Sequence, residues 1–185
     1  MAIADLHTGA PHITLEKVAD VVARVNAARP DLVVLLGDYV IHGVLGGHFV
    51  EPERTAAALR GLAAPLGVVA VLGNHDWWYD GDRVSRALAA VPEAAPVIVL
   101  THNPDVFVHV PARVLLTLAG HTHGGQVNLP ILGRLIVPSQ FGERFAIGHV
   151  HEDGRDLFVT PGIGTSIVPV RFGVPPEISV LAVDR

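Results

Sequence analysis

Five short apolar runs in this chain each lead into a residue that can bind a metal or a proton, and this arrangement constrains the fold more than any other feature. The residues that follow the runs are Asp5-Leu6-His7, Gly37-Asp38, Gly73-Asn74-His75-Asp76, Thr101-His102-Asn103-Pro104 and Gly120-His121-Thr122-His123-Gly124-Gly125. In open α/β sheets the carboxyl ends of strands are where binding sites collect, because loops from neighbouring strands converge on one edge. Five loops are thereby expected to meet at one place. Taken singly, a His or Asp in a loop is more often a cap, a turn residue or a solvated side chain. Five such clusters after five strands reverse that balance, because burying so many polar groups without a cation is costly.

The spacing of apolar residues predicts an α/β (α+β) domain. Leu15, Val18, Val22 and Val25 recur at helical intervals after Thr14, a candidate N-cap, and Pro30 stops the helix before the strand Leu32 to Leu36. A second helix is expected from Pro52 to about Leu62, then a strand from Val68 to Leu72, a helix from Asp82 to Val91 and a strand from Val97 to Leu100. All these strands read as buried. From Val114 onward β-rich pieces take over, at Val114 to Leu118, Arg134 to Val137, Phe145 to His151, Leu157 to Val159 and Ile178 to Val183.

With 185 residues, half of them hydrophobic, the chain has material for one core, and residues 1–185 are read as a single domain. The formal net charge of -5 gives no sequence-wide basic field, so no nucleic acid is expected as partner. No apolar run approaches the ~20 residues of a membrane helix. Residues 1–10 lack a basic region followed by an apolar run, so the expected location is cytoplasmic. The absence of cysteine removes disulfides, thiolate zinc sites and cysteine nucleophiles, which leaves eleven histidines, the carboxylates and the amides as metal ligands. In extended chain, residues two apart point to the same side, so Asp5 with His7, and His121 with His123, are each expected to grip a metal as a pair.

The ordered set Asp-x-His, Gly-Asp, Gly-Asn-His-Asp, His and Gly-His-x-His resembles the signature of the calcineurin-like metallophosphoesterase superfamily over nearly the whole chain. Within it, Gly37-Asp38-Tyr39-Val40, Thr101-His102-Asn103-Pro104-Asp105, Gly120-His121-Thr122-His123-Gly124-Gly125-Gln126, Gly162-Ile163-Gly164-Thr165-Ser166 and Arg171-Phe172-Gly173 resemble the bacterial YkuE and YaeI-like phosphodiesterase branch. The resemblance implies a four-layer αββα sandwich. It also implies two divalent metal ions, one held by Asp5, His7, Asp38 and His123 and the other by Asp38, Asn74, His102 and His121, with Asp38 bridging. Softness of the ligands leaves Mn, Fe, Zn, Co and Ni all open. The implied reaction is hydrolysis of a phosphodiester or pyrophosphate bond by a metal-bridging hydroxide, with His75 stabilising or protonating the leaving oxygen and Asp76 orienting the His75 ring. A small phosphorylated substrate follows, with a nucleotide-linked lipid precursor and peripheral membrane contact among the expectations.

The chain departs from the branch in having few residues before Ala4 and a short stretch between Asp76 and Thr101, which would truncate the sandwich at the first strand and after the Gly-Asn-His-Asp loop. An open sheet edge of that kind is a route to oligomers. His12, His42, His48, His109, His149 and His151 read as surface or supporting residues, although His42 shares a loop with Asp38 and is a candidate substrate contact. Trp77, Trp78 and Tyr79 suit a stacking wall beside the phosphate or ordinary core packing equally well. The apolar stretch Leu129 to Phe145 reads as a covered hairpin in preference to a lipid groove. The competing functional class is a non-catalytic metal-binding or regulatory protein on a degenerate frame, against which stands the presence of every expected ligand and of His75.

Overall fold

The computed structural model describes residues 1–41, 44–76 and 97–183. Helix α1, Leu15–Ala27, begins where Thr14 turns its hydroxyl to accept the Lys17 N–H at 3.2 Å, with Glu16 in the first turn and Arg24 in the last complementing the helix dipole. Its apolar stripe Val18, Val21, Val22 and Val25 is buried. Helix α2, Pro52–Leu59, opens on proline, whose missing N–H costs nothing in a first turn.

Strands β1 (Ala2–Ile3), β2 (Val33–Leu35) and β3 (Val68–Ala70) form a parallel sheet in that order, with Ala2 opposite Val34 and Val33 opposite Val68. Strands β4 (Val97–Leu100), β5 (Val114–Ala119), β8 (Gly148–Glu152) and β9 (Arg155–Val159) form the second sheet in the order β4-β5-β9-β8. Here β4, β5 and β9 run parallel and β8 returns antiparallel as the outermost strand among the described residues. A small hairpin pairs β6 (Asn128–Leu129) with β7 (Gly133–Arg134).

Three apolar clusters hold these layers. Val18, Val21 and Val25 of α1 pack on Ile3, Leu6, Val33 and Leu35, with Ala58 and Leu59 of α2 beside them. Ala2, Ala4, Val34 and Leu36 meet Leu118, Leu100 and Phe158 between the sheets. Phe107 and Phe145, edge to face at 5.8 Å, cover Val114, Leu157 and Val159 on the far side. The chain is thus a mixed α/β sandwich with two sheets face to face. The far layer is made among the described residues by 3-10 turns at Pro104–His109 and Gly142–Phe145. The first of these is a departure from the sequence reading, and its origin is local: Asn103 caps the turn by accepting the Asp105 N–H, and Pro104 follows in its first position.

Several expected elements differ. Strand β3, expected to be buried, is exposed along its length, Val68 by 41% and Val69 by 44%, although β1 at the other edge of the same sheet is fully buried. The strand expected at Arg134 to Val137 shrinks to two residues, and residues 178–183 contribute only a bridge between Ser179 and Ala2. The stretch Leu129 to Phe145 does contain a hairpin, but it is not covered, since Ile131, Leu132, Leu135 and Ile136 are all largely exposed. The helix expected at Asp82 to Val91, the aromatic wall Trp77, Trp78 and Tyr79, and His42 lie outside the described residues. Among the described residues no helix is long and apolar enough to cross a membrane.

Candidate metal centre

The loop after β1 carries Asp5 and His7, both buried, and the loop after β2 carries Asp38, also buried. Hydrogen bonds from Asp5 N–H to Gly37 and from His7 N–H to the Asp38 carbonyl lace these two loops together. Past β3 come Asn74, His75 and Asp76, past β4 comes His102, and past β5 come His121 and His123. All five loops meet at one edge shared by the two sheets, as the positions of their ligating atoms show. Nε2 of His7 and Nε2 of His123 are 3.1 Å apart, and Nε2 of His102 is 3.1 Å from Oδ1 of Asn74 and 3.2 Å from Nδ1 of His121.

The carboxylates sit between these rings. Oδ1 of Asp5 is 3.9, 3.8 and 3.6 Å from Nε2 of His7, His102 and His123, while Oδ2 of Asp38 is 3.6 Å from His7 and 3.2 Å from His102. Three groups have ligating atoms all within 4.8 Å of one another: Asp5, His7 and His123; His7, Asp38 and His75; and Asp38, His102 and His121. Asp38 is common to the second and third.

Asp5 and His7 do fall in one group, whereas the expected pairing of His121 with His123 is corrected, and extended two-residue alternation delivers neither pair. Asp5, His7, Asp38, His121 and His123 all have left-handed backbone, with φ of 51°, 48°, 58°, 71° and 51°. Such φ is uncommon outside glycine, costs about 1 kcal/mol or more per residue, and concentrates at functional sites where the surrounding packing enforces it. His121 and His123 consequently point into different groups.

Glycines make the crowding feasible. A Cβ on Gly120 would stand 2.7 Å from Oδ2 of Asp5, and one on Gly73 would run into the Asp38 carboxylate.

Hydrogen bonds orient the donors. Nδ1 of His102 donates to the Leu36 carbonyl at 2.7 Å, and Nδ1 of His7 faces the Val40 carbonyl at 3.4 Å, so both rings turn Nε2 toward the cluster. The His121 N–H donates to both oxygens of Asp5, at 3.2 and 3.0 Å, and the His75 N–H donates to Oδ1 of Asp38 at 2.8 Å.

Among the described residues the hydrogen bonds of Asp76 go to backbone N–H groups and not to the His75 ring that it was expected to orient. Its Oδ2 accepts the N–H groups of Asp38 and Gly73 at 2.7 and 2.9 Å, and its Oδ1 those of Tyr39 and Val40 at 2.9 and 3.3 Å. It therefore ties the Asp38 loop to the loop that carries Asn74 and His75.

Electrostatics follow the burial. Burial pushes the Asp5 carboxyl up to about 7 and pushes the His7 and His121 imidazoles down to about 4, with His123 also well below its ordinary value. For His102 burial acts downward too, but its hydrogen bond to Asp38 and the charges of Asp5 and Asp38 outweigh this and lift it to about 9. Asp38 is correspondingly lowered, because the hydrogen bond and charge of His102 overcome its own burial. Mostly neutral imidazoles facing carboxylates in a buried pocket are the donor set that borderline divalent cations select.

One residue of the cluster was not singled out from sequence. Arg171 is part-buried, with no carboxylate within ion-pair distance among the described residues. It donates to the carbonyls of Gly164 and Pro161 at 2.6 to 2.8 Å and lies 3.3 Å from Nδ1 of His123. The sequence signal was the tail motif Arg171-Phe172-Gly173, which carried the branch resemblance without suggesting a role.

The profile of the family described as calcineurin-like phosphoesterase matches residues 1–121, and those residues supply every ligating residue of the cluster but His123. The chain belongs to this family. It is a metal-dependent phosphoric ester hydrolase of the bacterial YkuE and YaeI-like branch, as two relatives indicate. An uncharacterized metallophosphoesterase, YkuE of Bacillus subtilis, is 28% identical over 213 residues, covering 91% of this chain and 73% of its own length. The phosphodiesterase YaeI of Escherichia coli is 26% identical over 222 residues, covering 97% and 79%. Both alignments are longer than this 185-residue phosphoesterase, so each relative carries internal segments that it lacks. The UDP-2,3-diacylglucosamine pyrophosphatase LpxG of Chlamydia trachomatis is 38% identical over 77 residues, covering 40% of this chain and 21% of its own. No solved structure gave a significant match.

Proposed function

We propose that this phosphoesterase hydrolyses a phosphodiester or pyrophosphate with two divalent cations, one held by Asp5, His7, Asp38 and His123 and the other by Asp38, Asn74, His102 and His121. The observation that carries this reading is the pair of ligand groups Asp5–His7–His123 and Asp38–His102–His121, buried side by side, with Oδ2 of Asp38 within 3.6 Å of both His7 and His102. Two cations there would polarise the phosphoryl oxygens and lower the pKa of bound water enough to supply a nucleophile at neutral pH. Mn, Fe, Zn, Co and Ni all suit imidazole and carboxylate ligands.

The chain's own groups do the rest. Asp38 shares its carboxylate across both ligand sets, and the His75 N–H holds one of its oxygens in place. The His75 ring, 4.9 Å from that of His7, sits beside the cluster at intermediate exposure, where it can hand a proton to the leaving oxygen. Asp76 keeps these two loops in register.

An amphiphilic, nucleotide-linked lipid precursor is the substrate we favour. The aliphatic tip Ile131, Leu132, Leu135 and Ile136 extends directly from the loop of His121 and His123, exposed beyond what a solvated hairpin needs. The naming of LpxG as a pyrophosphatase of such a molecule agrees with this.

The test is metal content per chain by elemental analysis, together with hydrolysis of bis-p-nitrophenyl phosphate, for the wild type and Asp38→Ala. Two metals per chain, with turnover abolished and metal lost in the variant, are expected. Activity indifferent to Asp38, or one metal in a fully active enzyme, would refute the binuclear reading.

A further inference from the structure

A second convergence of metal-binding side chains lies outside the phosphoesterase cluster, on the hairpin of β8 and β9. His149 and His151 are two apart on β8, and both project from the exposed side while Val150 between them packs against the core around Phe107 and Phe145. Across the hairpin, Asp156 is the register partner of His151 and the diagonal neighbour of His149. Both imidazoles converge on one carboxylate oxygen, with His149 Nε2 at 2.6 Å and His151 Nδ1 at 2.9 Å from Oδ1 of Asp156. About 60% of each imidazole is exposed, so water can fill remaining positions.

We propose that His149, His151 and Asp156 form a mononuclear site for a borderline transition-metal ion such as Zn2+ or Ni2+. Two imidazoles and a carboxylate are the ligand chemistry of such ions, and their bonds of about 2.0–2.2 Å place neighbouring ligand atoms roughly 3 to 3.5 Å apart. The two rings flank Oδ1 of Asp156, and taking up an ion requires the exposed side chains to rotate so that their nitrogens close to that spacing, whereas their backbone is fixed by the antiparallel ladder from Gly148–Val159 to Glu152–Arg155. Because β8 is the outermost strand of its sheet among the described residues, a bound ion would staple it to β9.

Equilibrium dialysis of the full chain against Zn2+ tests this, comparing the wild type with His149→Ala/His151→Ala and with Asp156→Asn, and following bis-p-nitrophenyl phosphate hydrolysis in parallel. The double variant should hold one Zn2+ fewer per chain and keep wild-type turnover, and Asp156→Asn should need a higher free Zn2+ for the same occupancy. Equal stoichiometry in wild type and double variant would overturn the proposal. So would a larger loss accompanied by lost turnover, which would locate the effect at the phosphoesterase cluster.

Discussion

Replacing Asp76 separates two accounts of the Gly-Asn-His-Asp loop. Its carboxylate accepts four backbone N–H groups, three at 2.7 to 2.9 Å and that of Val40 at 3.3 Å, and these belong to the two loops that present Asp38 and Asn74. Asp76→Asn keeps the shape but turns an NH2 toward one pair of these donors. Leaving a buried donor unpaired costs about 1–3 kcal/mol, and water reaches this part-buried site, so the isostere should lose about 2–4 kcal/mol of stability. Asp76→Ala, which frees all four donors and lets water replace some, should lose about 3–6 kcal/mol. Urea unfolding of metal-free protein reads these losses as a midpoint lowered by about 1–2 M for Asp76→Asn and about 1.5–3 M for Asp76→Ala, at m of roughly 2 kcal/mol/M. Working without metal matters, because cation binding to the native state would mask the loss. If Asp76→Asn unfolds within about 0.5 kcal/mol of wild type yet loses turnover as His75→Ala does, Asp76 acts through the His75 ring and the loop-clamp reasoning fails.

The stability of the metal-free chain should peak near neutral pH. His7, His121 and His123 are lowered by burial, so the unfolded chain takes up their protons first and stability falls as pH drops from about 6.5 toward 4; Asp5, raised to about 7, opposes this with one proton of opposite sign. Above neutrality His102, raised to about 9, holds a proton in the folded state that the unfolded chain has released, so its contribution is lost as pH rises through 9. Thermal melts of chelator-treated protein from pH 5 to 9 check this, and a melting temperature still rising at pH 9 would contradict it. His75→Ala should cost ~100-fold or more in kcat with an alkoxide leaving group and much less with p-nitrophenolate, which needs no proton. An equal loss with both would remove His75 from that role. Gly120→Ala forces a methyl to within 2.7 Å of the Asp5 carboxylate, and should lower metal occupancy measured by elemental analysis while the far-UV circular dichroism stays native. Phe107→Ala empties a fully buried ring site against Phe145, and should cost about 3–5 kcal/mol in denaturant unfolding without changing metal content.

How much of this was legible in the chain itself follows from how local each feature is. Helix α1 was readable because its cap, apolar stripe and stop are all within the segment Thr14 to Pro30. The ligating residues were readable because polar residues directly after buried strands have no inexpensive alternative to a shared site, and because their order resembles a known signature. The backbone that delivers them was not, since the left-handed φ of Asp5, His7, Asp38, His121 and His123 is imposed by packing from other loops and has no mark in a residue that is not glycine. Asp76 shows the same limit: its four partners are up to 38 residues away, so sequence suggested its neighbour His75 and tertiary structure decided on the backbone of the Asp38 loop. The exposure of β3 and of the Ile131 to Ile136 tip was likewise undecided, because an apolar run reads the same whether it lies inside a sheet or at its edge. Local pattern determined which residues carry the chemistry; contacts between distant loops determined which atoms face each other, because those contacts alone fix the backbone and the hydrogen-bond partners.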